Sequence, residues 1–182
     1  SVVDNFEDGD ITISLKDNWT GWNGDTGSFQ AQQSTVLADN WSGQLDATGG
    51  VFNAVTADRD TPDTPIESKC LFQANSRNGD TTDSFRFGVR KGGTNVFRIF
   101  LLSDGNIETS AGAAAGSWST STLYTLRIFN IDFSNNQTDW EIVDQSDDSV
   151  IASGTDDSFA NSVSDADKIQ LLVDSRNSTA QT

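Results

Sequence analysis

The stretch DWEIVD sets three carboxylates, those of Asp139, Glu141 and Asp144, at positions i, i+2 and i+5. Retaining glycoside hydrolysis needs two carboxyl groups about 5–5.5 Å apart, one as nucleophile and one as acid/base. A plain strand cannot supply that pair, because residues four apart on it are separated by about 13 Å. A bulge would be needed to bring the carboxylates onto one sheet face. The competing reading is a surface strand with Trp140 and Ile142 turned towards a core.

Acidic residues gather twice more. VDNFEDGDI (3–11) packs Asp4, Glu7, Asp8 and Asp10 around Phe6, and DRDTPDTPIE (58–67) brings Asp58, Asp60 and Asp63 together on a Pro-stiffened segment read as a loop. Clustered carboxylates suit calcium, which takes six to eight hard oxygen ligands. The first segment does not follow the EF-hand spacing. In a chain with 27 acidic residues among 182, clusters also arise by chance, and a solvated acidic turn is the plain alternative.

Binding chemistry is suggested by the cations and the indoles. In SFRFGVRK the apolar face is Phe85, Phe87 and Val89, which leaves Arg86 and Arg90 on the other. Arg98 and Arg127 lie on the two following long strands, so if these strands are neighbours, several of only seven Arg share one sheet face. A guanidinium fork suits carboxylate or sulfate groups on a glycan, and its plane stacks on aromatics. Pairing with nearby Asp is the alternative. Trp19 in NWTGW and Trp41 in DNWSG stand beside turn-forming residues, where an indole face can meet a sugar ring, whereas Trp22, Trp118 and Trp140 are expected to close the core. Sequons begin at Asn18, Asn40, Asn136 and Asn177, close to the number composition alone would produce.

Composition narrows the functions. With 27 acidic and 11 basic residues the net charge is −16, which disfavours nucleic-acid and anionic-membrane partners. Acidity is carried by 23 Asp against 4 Glu, and Lys occurs only 4 times, a balance that suits very salty water, where salt screens mutual repulsion. The absence of His excludes a His-based triad, a His-ligated zinc site and a histidine pH switch. The single cysteine, Cys70, is expected as a buried, inert thiol on a strand face shared with Ile66 and Phe72. No stretch approaches the roughly 18 apolar residues of a membrane span, so no membrane insertion is expected. With neither a signal peptide nor a starting Met, the chain reads as processed or excised from something longer.

Apolar residues alternate in short runs separated by Gly, Asn, Asp and Ser, with almost nothing at helical spacing. Strands are predicted over 11–15, 28–33, 43–49, 51–57, 66–74, 84–91, 95–102, 106–110, 123–133, 138–145, 149–155 and 168–175. Asp104-Gly105 suits a type I′ hairpin turn, and Ser134 to Gln137 makes a second reversal. AGAAAGS (111–117) reads as a flexible loop. About a dozen strands without crossover helices predict one all-β domain over 1–182, a two-sheet antiparallel jelly-roll sandwich.

The segments FEDGD, GWNGDTGSFQAQQSTV, SFRFGV, FRIFLLSDGNIET and WSTSTLYTLRIFNIDF resemble concanavalin A-like or laminin G-like jelly rolls, of the kind found in haloarchaeal surface and virus proteins. F-E-D-G and the later Trp are also similar to jelly-roll carbohydrate-binding modules. That resemblance implies glycan or protein binding, with catalysis in a minority. It further implies a structural calcium held by Glu7, with Asp8, between the first and last strands. The family's closing strand, with its own Asp, would follow LLVDSRNSTAQT, so an open edge beside the first strand is expected, filled by an unseen continuation or by a neighbouring subunit. DWEIVD is similar to the E-x-D-x-x-E of laminarinase-like glycoside hydrolases, with the Glu and Asp order inverted. The expected function is a non-catalytic, extracellular binding or adhesion module on a cell or virion surface, recognising a glycan or a surface protein. Its ligand-binding residues are Arg86, Arg90, Arg98, Arg127, Trp19 and Trp41; its candidate calcium ligands are Glu7, Asp8, Asp58, Asp60 and Asp63. Self-assembly by strand exchange is the main alternative, and glycoside hydrolysis a third.

Overall fold

A computed structural model of the chain describes residues 29–32, 42–45, 53–60, 64–74, 77 and 83–175. The strands are β1 (Phe29–Gln32), β2 (Ser42–Leu45), β3 (Asn53–Asp60), β4 (Glu67–Phe72), β5 (Ser84–Lys91) and β6 (Thr94–Leu102). They continue with β7 (Asn106–Thr109), β8 (Gly112–Ser117), β9 (Tyr124–Asp132), β10 (Gln137–Asp144), β11 (Ser149–Ser158) and β12 (Lys168–Ser175). Among the described residues there is no helix.

One sheet has the order β11-β10-β9-β4, another the order β3-β12-β5-β6-β7-β8, and β1 pairs with β2. Every pairing among the described residues is antiparallel. Period-2 alternation gives each larger sheet one apolar face. Phe85, Phe87 and Val89 of β5 and Phe97, Ile99 and Leu101 of β6 meet Leu126 and Ile128 of β9 and Trp140 and Ile142 of β10 in one contiguous core. The expected all-β, two-sheet antiparallel sandwich is therefore what the chain forms. Trp118 and Trp140 close it as expected, each buried, with Nε1 donating to Leu102 O (2.8 Å) and Asp157 Oδ2 (2.5 Å) respectively. Phe72 stacks on Phe85 (centroids 4.1 Å apart) and meets Trp118 edge-on.

Local departures have local causes. Residues 112–117 form β8 and not a loop, because β7 offers a ladder and the small side chains let β11 approach; a Cβ on Gly116 would overlap the Ile151 carbonyl oxygen. The reversal at Asp104-Gly105 is not type I′. Gly105 N donates to Leu102 O at 2.9 Å, and only the glycine of the pair has a positive φ, 98°, which is a type I turn followed by a bulge glycine. Asp104 braces it by accepting from Asn106 N and Nδ2. The β9–β10 turn is held by Asp132, which accepts from Asn135 Nδ2, Asn135 N and Ser134 N; these bonds, Asn135's first, keep its carboxyl below the usual range.

Ile66 precedes β4 and is 75% exposed, so it does not share the face of Cys70 and Phe72. Cys70 packs against the core, and burial pushes its thiol up to about 12, leaving it protonated and inert at neutral pH. β12 is an interior strand between β3 and β5; the open edge expected beside residues 11–15 lies outside the described residues.

Burial separates two isoleucines in a way that denaturant can read. Ile99, fully buried, is expected to lose about 2–5 kcal/mol on substitution by Ala, as large-to-small core changes do. Ile66→Ala is expected to change stability by no more than about 0.5 kcal/mol, the usual range for exposed sites. Unfolding midpoints in high salt check both, and equal losses would contradict the assigned faces.

Candidate site on the outer face of the six-stranded sheet

The alternation that buries Phe85, Phe87 and Val89 turns Arg86, Gly88 and Arg90 outward. Register then decides their neighbours. Gly88 lies opposite Arg98 of β6 and Gln170 of β12, while Arg86 lies opposite Phe100 and Leu172. Gly88 is needed for this arrangement. A Cβ there would run into Arg98 Cγ and, at 2.7 Å, the Phe97 carbonyl oxygen, so the Arg98 stem lies where any other side chain would stand. Three of the predicted ligand-binding arginines, Arg86, Arg90 and Arg98, are thus gathered on one face, with Phe100 beside them.

The three cations are held differently. Arg86 is mostly enclosed, donating from Nη2 to Asp174 Oδ2 at 2.5 Å and from Nε to Ser84 Oγ at 2.9 Å. Arg90 donates from Nη2 to Gly93 O at 2.7 Å. Arg98 is half-buried, its Nε has no hydrogen-bond partner among the described residues, and no described carboxylate pairs with it. Burial, then the charges of Arg86 and Arg90, push its pKa down to about 10, so at neutral pH it remains a cation in an unfavourable setting. Phe100 offsets part of that penalty. The guanidinium carbons of Arg86 and Arg98 lie 5.2 and 5.0 Å from its ring centroid, within cation–π range.

Arg127 does not join them. It belongs to β9 in the other sheet, where Nε donates to Glu67 Oε1 (2.7 Å) and Nη1 to Glu141 Oε1 (3.0 Å), above the Phe129 ring. Glu67 first, then Glu141, raise its pKa, and with solvent reaching Arg127 and Glu67 the bridge contributes at most about 1 kcal/mol. The same geometry dissolves the carboxylate triad of DWEIVD. Asp139 and Glu141 face outward, while Asp144 occupies the opposite parity, level with buried Tyr124. The bulge near this point falls on β11, which skips Ile151, and leaves β10 regular between Glu141 and Asp144. Each carboxylate is also engaged: Asp139 by Asn130 Nδ2 and Asp156 N, Glu141 by Arg127, Asp144 by Ser146.

Asp58 and Asp60 are corrected from loop to strand. β3 runs through Asp60, with Asp58 paired to Gln170 and Asp60 to Lys168, because an interior β12 offers it a full ladder. Among the described residues no group of three metal-ligating side chains is gathered. Asp63, Glu7, Asp8, Trp19 and Trp41 lie outside the described residues.

Two residues of this face, Phe100 and Gly88, were legible but not singled out in the sequence. In VFRIFLL the alternation that buries Phe97, Ile99 and Leu101 obliges Phe100 to share Arg98's side.

No protein-family model and no curated protein matches this chain. Among solved structures, one of a scytalido-glutamic peptidase with a peptide-based transition state analog is similar at 8% identity and a TM-score of 0.38, covering 74% of this chain and 70% of that one.

Two glycines should respond oppositely to alanine. Gly88→Ala is expected to lower stability by about 1–3 kcal/mol, as overpacking does, while displacing Arg98. Gly93, with nothing within 4 Å of a new Cβ and no positive φ, should accept alanine with no loss. Denaturant midpoints of both variants check this, and a neutral Gly88→Ala would mean that Arg98 does not lie across the strand.

Proposed function

We propose that this chain is a non-catalytic binding module that takes an anionic ligand, an acidic glycan bearing carboxylate or sulfate groups, on the outer face of β12, β5 and β6. It works outside the cell or on a virion surface, in salty water, in keeping with the laminin G-like and concanavalin A-like proteins that its sequence resembles. The observation that carries the reading is Arg98: a half-buried cation with two further cations beside it and no carboxylate partner among the described residues. In a chain of net charge −16, carboxylates are abundant, so a cation kept apart from them is a feature in search of a reason. An incoming carboxylate or sulfate would relieve the repulsion and accept hydrogen bonds from the guanidinium fork.

Long-range charge does not oppose this in the expected setting. At 1 M salt the Debye length is about 3 Å, so the acidic coat is screened and short-range hydrogen bonds decide binding. Phe100 supports the guanidinium planes from beside them, which fits recognition of charge more than stacking of a neutral sugar. The division of the DWEIVD carboxylates between the two faces of β10 argues against glycoside hydrolysis through that segment.

Binding to a panel of sulfated, uronate-bearing and neutral oligosaccharides in high salt tests the proposal. The parent is expected to select acidic members, and Arg98→Gln to weaken that binding about tenfold or more, the loss of a charge-assisted hydrogen bond. Glu141→Gln, on the other sheet, should bind as the parent does. Equal binding by Arg98→Gln and the parent would refute the site.

A further inference from the structure

We infer that in salty water the Arg98 site holds one small inorganic anion, chloride, which any acidic ligand must displace. The inference does not depend on the ligand being a glycan. A half-buried guanidinium carries several N–H donors and one positive charge; its Nε is enclosed without an acceptor among the described residues, which leaves the outer Nη donors to meet an ion. Neighbouring cations do not repair this. Arg86 spends Nε on Ser84 and Nη2 on Asp174, and together with Arg90 it adds repulsion to Arg98. What the site lacks is an acceptor-only species with one negative charge and no demand for a planar or tetrahedral set of partners.

Chloride has those properties and is abundant in the salty water that the acidic, Lys-poor composition suits. Weak intrinsic affinity is enough. A site with a Kd on the order of 0.1 M is about nine-tenths occupied at 1 M chloride, and the bound ion stabilises the folded state by linkage. Bound chloride would also return the Arg98 pKa towards its ordinary value, because an opposite charge favours the protonated form. The site lies on a sheet face whose register is fixed by Gly88, so the ion's position is set by strand geometry, without any loop.

Chloride NMR line widths test this on the folded protein in sodium chloride. The parent is expected to broaden the chloride signal, Arg98→Gln to remove most of the excess, and Arg127→Gln, whose cation lies in the other sheet, to leave it unchanged. Excess broadening that survives undiminished in a folded Arg98→Gln, or a parent that gives none, overturns the inference. Should Arg98→Gln fail to fold, a bromide-soaked crystal of the parent decides: an anomalous peak within hydrogen-bond reach of the Arg98 guanidinium supports the site, and empty density there overturns it. Adding a uronate-bearing oligosaccharide separates the two proposals. Narrowing of the signal supports both, whereas a bound chloride that no acidic oligosaccharide displaces leaves this site standing and refutes the ligand site.

Discussion

A slip of β6 by one residue against β5 would exchange the two faces of the six-stranded sheet, putting Arg86, Gly88 and Arg90 on a level with Phe97 and Ile99. The pairing of Gly88 with Arg98 prevents it. Slipped either way, the Arg98 stem would meet Phe87 or Val89 instead of the gap that Gly88 leaves. Phe85, Phe87 and Val89 reinforce the same register from the other side, since they are buried only when their partners are Leu101, Ile99 and Phe97. Core and site are therefore two faces of one constraint, and the cations are where they are because the phenylalanines are where they are.

The electrostatics divide along the same line. On the four-stranded sheet Arg127 is neutralised by Glu141, opposite it on β10, and by Glu67, diagonal to it on β4, although Lys69 stands directly opposite it on β4. On the six-stranded sheet Arg86 is neutralised by Asp174, but Arg98 lies opposite a glycine on β5, and the residue beyond it on β12 is the uncharged Gln170. Opposite-charge pairs across strands stabilise a sheet modestly, and their omission at one position loses little in stability while leaving a cation available. Binding capacity then arises where the cross-strand pairing of charges is left incomplete.

Much of this was legible in the sequence, for a reason that also marks the limit. Alternation reports which residues share a strand face, so the apolar side of SFRFGVRK and its Arg86 and Arg90 side follow directly. It does not report which sheet a strand joins. Arg127 has the right alternation but belongs to β9, which pairs with β4 and β10 instead of β6. Elements whose form comes from neighbours were harder still. Gly112–Ser117 has no apolar alternation and becomes a strand because β7 and β11 leave room for it, and Asp58 and Asp60 extend β3 because β12 continues opposite them. Turn chemistry lay between these cases: Asp104-Gly105 marked a reversal, while its type depended on a bulge that the pair alone does not specify.

Arg98 carries a half-buried guanidinium that no described carboxylate pairs with. Side-chain nitrogen NMR of the arginine Nε–H groups, followed as a uronate-bearing oligosaccharide is added in constant salt, tests directly whether that cation takes an acidic ligand. The Arg98 resonance is expected to move and saturate while that of Arg127, already set between Glu67 and Glu141, stays in place. An Arg98 resonance that does not move, or one that moves no more than that of Arg127, would contradict it.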